Sequence, residues 1–281
     1  MGRLDEAESV GHPAFSRDGK RVALTLFRGG TYGIGVYDLE RGLLSPLPLT
    51  GDALRPTWTA EGDRLTFLSN AGGGYNLHSI PFDGSGRPQP LFPASQGYVN
   101  SPSSWSPDGR SLVYARPGDK TGWDLWLGVP GQEGGPKPLL VTPANESAPA
   151  VSPDGRSIAY QSDESGALEI YVRPFPQVEK RRELISRTGG TAPKWSRDGR
   201  EIFYLSEQGL MRVPVTSARG SATLSFGQPS LALEMTGLLS FDVAPDGRTF
   251  AIARVPIERA AREIRVVINW LEELKLRVPT R

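Results

Sequence analysis

The sequence predicts an all-β protein: a six-bladed β-propeller of four-stranded antiparallel blades, with a short C-terminal helix. Two observations carry this. Gly (33) and Pro (25) together make up about 21% of the 281 residues, against a usual total of roughly 12%. Both residues interrupt helix interiors, so this composition favours many short strands and tight turns over a helical bundle. The second observation is an internal repeat. Six segments align on one glycine: PAFSRDGKRVAL (13–24), PTWTAEGDRLTF (56–67), SSWSPDGRSLVY (103–114), PAVSPDGRSIAY (149–160), PKWSRDGREIFY (193–204) and FDVAPDGRTFAI (241–252). The shared glycines are Gly19, Gly62, Gly109, Gly155, Gly199 and Gly247, separated by 43, 47, 46, 44 and 48 residues. A period of this length is the signature of a solenoid or a propeller.

Each repeat reads as a strand, a tight turn and a second strand. In Trp105-Ser106-Pro107-Asp108-Gly109, Pro presets φ for a turn. Asp can bond back to the neighbouring backbone, and Gly accepts the left-handed conformation. An apolar second strand follows, such as Ser111 to Tyr114. Third strands are predicted at Ile34 to Leu39, Tyr75 to Ile80, Asp124 to Val129, Leu168 to Arg173, Leu210 to Val215 and Ile264 to Trp270. Fourth strands are predicted at Ser45 to Thr50, Pro90 to Phe92, Pro138 to Thr142, Glu183 to Ser186 and Ser230 to Leu233. Four antiparallel strands in about 45 residues make one propeller blade. The whole chain, 1–281, is expected to be one domain, with blades at 10–50, 54–92, 98–142, 146–186, 191–233 and 237–270.

Blades cover one another's faces. The residues four before each glycine, Phe15, Trp58, Trp105, Val151, Trp195 and Val243, are therefore expected to pack between blades rather than to cage a ligand. An acidic residue beside the shared glycine recurs in every repeat, as Asp-Gly in five and Glu61-Gly62 in the second, as a turn requirement would produce; a catalytic acid would be needed only once. The last blade shows three strands. Its fourth could come from Gly2 to Asp5, or from a segment missing upstream of Met1. Leu271, Leu274 and Val278 recur at helical spacing, which predicts a helix over 270–277 that covers the last blade's edge or docks a neighbour.

Composition also narrows the function. Lys plus Arg (32) nearly equals Asp plus Glu (31), which gives no global attraction to nucleic acid or acidic membranes. The absence of cysteine excludes disulfides, thiolate metal sites and a Cys nucleophile. Two histidines, His12 and His78, make a multi-His metal site unexpected. There is no apolar run long enough to span a membrane and no N-terminal signal pattern. No metal or cofactor is expected, and a monomer is.

No Gly-x-Ser-x-Gly elbow, Walker loop, kinase catalytic loop or EF-hand loop occurs. Gly72-Gly73-Gly74 suits a hairpin loop better than a phosphate cradle. Lys180-Arg181-Arg182, flanked by Glu179 and Glu183, reads as a solvated loop. The remaining candidates lie where the chain enters each inner strand, near the mouth of the central channel. His12 aligns in register with Arg55, Pro102, Ala148, Ala192 and Ser240, and Asn100, Glu146 and Thr191 lie close by. His12, Arg55, Asn100, Glu146, Thr191 and Ser240 could line a polar funnel that binds a small polar ligand or a peptide end. A solvated channel mouth without a ligand is the plainer alternative.

The repeated Pro, Trp, Ser, Pro/Arg, Asp and Gly before an apolar strand resembles the TolB-type, WD-like six-bladed propellers across roughly residues 10 to 270. The resemblance specifies a fold and not a function. Such blades occur in periplasmic TolB, beside the hydrolase domain of prolyl oligopeptidase-like enzymes, and as the C-terminal part of bacterial receptor-like serine/threonine kinases. The ending Val266-Val267-Ile268-Asn269-Trp270-Leu271-Glu272-Glu273-Leu274-Lys275 is most similar to that last group. The chain has no counterpart of the α/β domain of TolB or of a kinase domain, so kinase activity is not carried over.

The resemblance implies a non-catalytic binding or scaffold propeller that recognises a protein or a small ligand. It would be the sensor part of a receptor-like kinase or a TolB-like interaction protein, and extracytoplasmic if so. The alternatives are a hydrolase or lyase working at the channel mouth, or the accessory propeller of a prolyl oligopeptidase-like peptidase. No nucleic-acid partner and no membrane insertion of this chain are expected.

Overall fold

A computed structural model describes residues 9–92, 104–118, 120–217, 223–254 and 264–267, the last four by backbone alone. Every regular element among them is a strand. Blade 1 comprises β1 (Ser9–Phe15), β2 (Arg21–Arg28), β3 (Thr31–Asp38) and β4 (Leu43–Pro46). Blade 2 comprises β5 (Ala53–Trp58), β6 (Arg64–Ser69), β7 (Asn76–Pro81) and β8 (Gln89–Pro90). Blade 3 comprises β9 (Ser104–Trp105), β10 (Leu112–Pro117), β11 (Trp123–Gly128) and β12 (Lys137–Leu140). Blade 4 comprises β13 (Glu146–Val151), β14 (Ser157–Ser162), β15 (Glu169–Pro174) and β16 (Glu183–Leu184). Blade 5 comprises β17 (Thr191–Trp195), β18 (Glu201–Ser206), β19 (Gly209–Ser217), β20 (Leu224–Phe226) and β21 (Ser230–Glu234). A last sheet comprises β22 (Leu238–Val243), β23 (Phe250–Arg254) and β24 (Ile264–Val267).

The architecture is therefore an all-β propeller, with one correction. Five sheets carry four or more strands, and the sixth carries three described strands. The complete blades number five, not six. Positions that could supply the missing strand, 1–8 and 268–281, lie outside the described residues, as does the helix expected over 270–277. Blade 5 also departs from the plan. β19 runs for nine residues, so β20 pairs with its far half while β21 pairs with its near half. Of the outermost strands, β4 begins two residues earlier than expected, and β8 and β16 are only two residues long.

Every Asp-Gly turn has the expected chemistry. In blade 1 the Ser16 hydroxyl donates to Asp18 Oδ1 at 2.5 Å, the Lys20 amide donates to the same oxygen at 3.0 Å, and the Arg21 amide donates to the Ser16 hydroxyl at 3.0 Å. The serine is buried, so the turn satisfies its own polar groups. The same set recurs at Ser106–Ser111, Ser152–Ser157 and Ser196–Glu201. In the last sheet Ala244 replaces the serine, and the Thr249 hydroxyl bonds Asp246 instead. All six shared glycines are left-handed, with φ between 67° and 80°.

The hydrophobic core is divided among the blade junctions. One cluster joins Ala14 and Val36 of blade 1 to Trp58 and Phe67 of blade 2. Others join blades 2 and 3 through Leu77 and Tyr114, blades 3 and 4 through Leu125 and Tyr160, and blades 4 and 5 through Ile170 and Tyr204. Blade 5 meets the last sheet through Phe203 and Phe250, and the last sheet meets blade 1 through Ala251 and Leu24. These six junctions close a ring. The second strand of each sheet is covered on both faces, which is why its sequence reads as a continuous apolar run instead of an alternation.

The motif aromatics pack between blades as expected. Trp58 is buried, and its indole N–H donates 2.8 Å to the carbonyl of Ala14 on the preceding blade. Trp195 does the same to Ala150 at 2.9 Å, and Trp105 donates to the Thr66 hydroxyl at 3.1 Å.

Candidate functional site

The innermost strands of neighbouring blades contact one another and so line the central channel. Most of them carry a β-bulge near the mouth, where the ladder skips between Gly11 and Ala14, Leu54 and Thr57, Ser147 and Ala150, Thr191 and Lys194, and Leu238 and Ser240. At four of these bulges a non-glycine residue adopts positive φ: His12 (46°), Arg55 (57°), Ala148 (49°) and Ala192 (53°). Left-handed non-glycine backbone costs about 1 kcal/mol or more per residue and persists only where its surroundings enforce it.

The enforcing contact is a hydrogen bond to another blade. The Arg55 amide donates to the Thr25 hydroxyl (2.9 Å), the Ala192 amide to Gln161 Oε1 (2.9 Å), and the His12 amide to the Ser240 hydroxyl (2.9 Å). At these three bulges the amide is thus satisfied across a blade junction.

Two of these side chains are functional in type. His12 and Arg55 sit on adjacent blades and close enough to interact electrostatically. Burial, the Arg55 guanidinium and the Lys194 ammonium together hold the His12 imidazole down at about 4. It is therefore neutral at pH 7. Burial also lowers Arg55. Among the described residues, His12 Nδ1 and Arg55 Nε are both shielded from water and have no hydrogen-bond partner. Lys194, from blade 5, lies 3.5 Å from Asp242 of the last sheet, and the other oxygen of Asp242 accepts the Phe15 amide at 2.7 Å.

The structure brings together His12, Arg55 and Ser240 from the predicted funnel. Thr191 pairs with Leu205 in the blade 5 ladder, one residue before the Ala192 bulge. Glu146 is 1% exposed and has its own surroundings. Its Oε1 accepts from Thr142 (2.6 Å) and Ser162 (3.3 Å), while Oε2 is unpartnered. Burial, then the Asp124 and Glu164 carboxylates, push Glu146 up to about 7 against the lowering effect of its two hydroxyl partners. Asn100 and Pro102 lie outside the described residues. Sequence reasoning missed Lys194, Asp242, Thr25 and Gln161. Their roles depend on bulges that shift the alternation of side chains, and no turn residue marks those bulges.

Other features fall into place as structure. His78 Nδ1 lies 3.2 Å from the Asn76 carbonyl, and its ring packs near Phe67. Arg181 pairs with Glu183 and Arg182 with Glu164, so the basic run is a paired surface loop. Among the described residues no three His, Cys, Asp or Glu side chains converge so as to hold a metal ion. Among the described residues there is no helix long and apolar enough to cross a membrane. A cleft of about 600 Å³ opens at the opposite end of the inner strands, between the turns of blades 4 and 5, lined by Pro153, Asp154, Trp195, Asp198 and Thr216. It holds none of the strained or unpartnered groups of the mouth.

No family model matches the chain. Two curated relatives do in part. A TolB homologue from Protochlamydia amoebophila is 29% identical over 144 residues, which is 48% of this chain and 31% of that protein. A TolB homologue from Chlorobium chlorochromatii is 34% identical over 102 residues, 36% of this chain and 22% of that protein. The matched segments thus amount to under a third of either relative.

Among solved structures, a TolB-type protein from Agrobacterium tumefaciens superposes with a TM-score of 0.68 at 17% identity, covering 88% of this chain and 91% of that one. Enzymes share the fold. Gluconolactonase from Xanthomonas campestris gives a TM-score of 0.62 at 14% identity over 89% of this chain and 84% of that one. Oligogalacturonate lyase from Vibrio parahaemolyticus gives 0.58 at 11% over 96% and 78%. At these identities the likeness is one of fold. In fold, this chain is a TolB-like β-propeller.

Proposed function

We propose that the chain is a non-catalytic recognition propeller, whose channel mouth at blades 1 and 2 takes up a small polar ligand or the end of a protein partner. One observation carries this: His12 Nδ1 and Arg55 Nε are buried, adjacent and unpartnered, on backbone held in a strained conformation by neighbouring blades. Buried polar groups are normally paired. Two orphans on adjacent blades leave hydrogen-bonding capacity that a ligand can satisfy. Such a ring needs no chemistry of its own to bind, because its loops and channel present a preformed surface. The TolB likeness supports an extracytoplasmic setting. The receptor-kinase setting rests on the C-terminal segment alone, and none of the relatives named above is a kinase.

The test is a fragment and short-peptide screen by ligand-observed NMR, with the His12→Gln/Arg55→Gln double variant as control. Hits that the double variant loses support the mouth. Hits that it retains, and that Trp195→Phe or Thr216→Val weakens, would move the binding site to the cleft at the turn end.

A second reading, a lyase or hydrolase at the same mouth, is favoured by the neutral imidazole beside a guanidinium. That pair could remove a proton and stabilise the resulting anion. Turnover of a polar substrate that His12→Gln abolishes would establish it and end the non-catalytic reading.

A further inference from the structure

We infer that the channel mouth binds a monoanionic carboxylate, held by the Arg55 guanidinium with the His12 imidazole as a second, neutral donor. The inference rests on the mouth being the binding site and adds the ligand's chemical class.

Charge sets the class. Two cations act on His12: Arg55 on blade 2 and Lys194 on blade 5. Lys194 has its counter-ion in Asp242. His12 is neutral at pH 7. Arg55 has no acidic partner among the described residues, and its Nε has no hydrogen-bond partner. The mouth therefore holds one uncompensated, partly desolvated positive charge. An isolated buried charge is costly unless an opposite charge joins it. One monoanion cancels it, whereas a phosphate dianion would leave a net negative charge in its place.

Geometry sets the shape. A guanidinium offers parallel N–H donors that match the two oxygens of a carboxylate. His12 Nδ1 is also free, and in the tautomer protonated there it donates to the same anion or to a hydroxyl beside it. Because the His12 and Arg55 amides are tied to Ser240 and Thr25, the backbone that carries both side chains is set before the ligand arrives, which lowers the ordering that opposes binding. Two sources supply such a group: the C-terminus of a peptide and a sugar acid.

The chain has only two histidines, His12 and His78, so the imidazole C–H spectrum reports the site directly once His78→Gln has assigned it. The probes are acetyl-triglycine as the free acid and as its amide, and D-galacturonate against D-galactose. The expected result is a saturable shift of the His12 signal with at least one acid and with neither neutral partner. A shift with the peptide acid alone assigns the peptide end, and a shift with galacturonate alone assigns the sugar acid. Arg55→Gln is expected to weaken binding about tenfold or more, with partial recovery in Arg55→Lys.

If each neutral partner moves the signal as far as its acid, the carboxylate assignment falls and the mouth remains a binding site. If no probe moves it, both fall. Should Arg55→Gln fail to fold, the comparison of acids with neutral partners on the unaltered chain decides.

Discussion

The backbone amide of His12 donates 2.9 Å to the hydroxyl of Ser240, 228 residues further along the chain. That bond, and the one from the Phe15 amide to Asp242, tie the first inner strand to the last. They close the ring and also hold His12 in its left-handed conformation, so closure and site geometry share the same atoms.

Ser240→Ala should therefore cost about 1 kcal/mol, the worth of a neutral hydrogen bond. Asp242→Ala should cost more, about 2–3 kcal/mol, because it strips a buried amide and leaves Lys194 without its counter-ion. Urea unfolding checks both. The pair should be less than additive, since both bonds serve the same junction.

Folded His12 takes up its proton only near pH 4, against an ordinary value of 6.5. Between those values the unfolded chain binds more protons, so stability should fall as pH drops from 6.5 to 4, by roughly 3 kcal/mol in all. His12→Gln should flatten this part of the profile, read as urea midpoint against pH.

Glu146 has the opposite sign. Its folded carboxyl keeps its proton up to about pH 7, against an ordinary 4.5. The folded state binds more protons in that window, so this contribution is complete below pH 4.5 and is lost as pH rises through 7, again roughly 3 kcal/mol. Glu146→Gln keeps an acceptor for Thr142 and Ser162 without the charge, and should raise the melting temperature at pH 8 by about 5 °C.

Ala192 and Gly109 make a matched pair. Both have positive φ, 53° and 70°. Ala192→Gly should stabilise by about 0.5–1 kcal/mol by removing left-handed strain. Gly109→Ala should destabilise by more than 1 kcal/mol, because its Cβ would also meet the Glu61 carboxylate and the Ala60 methyl of the preceding blade. Thermal melts of the two variants should move in opposite directions.

Trp58→Phe keeps most of the buried area but leaves the Ala14 carbonyl without its donor. A cost of about 1–2 kcal/mol is expected, against about 3–5 kcal/mol for Trp58→Ala. Guanidinium unfolding followed by circular dichroism separates them.

The blades were legible because each repeat writes its own local instructions. Asp-Gly or Glu-Gly marks the turn, a Ser or Thr hydroxyl ties it, and an apolar run follows that only a strand covered on both faces needs. The partners of these elements were harder to read. β20 and the early start of β4 follow from how far β19 and β3 extend, and edge strands leave little apolar signal. Within the site, register alone pointed to His12, Arg55 and Ser240. Glu146 was suggested by its nearness to the same position, but it precedes the bulge, pairs with Ser162 in the ladder and takes its partners from Thr142 and Ser162.

Residue order alone thus dictated the period, the turns and the identity of the core, all of which arise from contacts within some fifty residues. Ring closure decided the rest. It placed His12 against Ser240, paired Lys194 with Asp242, and left Arg55 without an acidic partner among the described residues. These outcomes depend on contacts between distant blades, where burial and the sum of nearby charges, neither of them written in any local pattern, fix what each group can do.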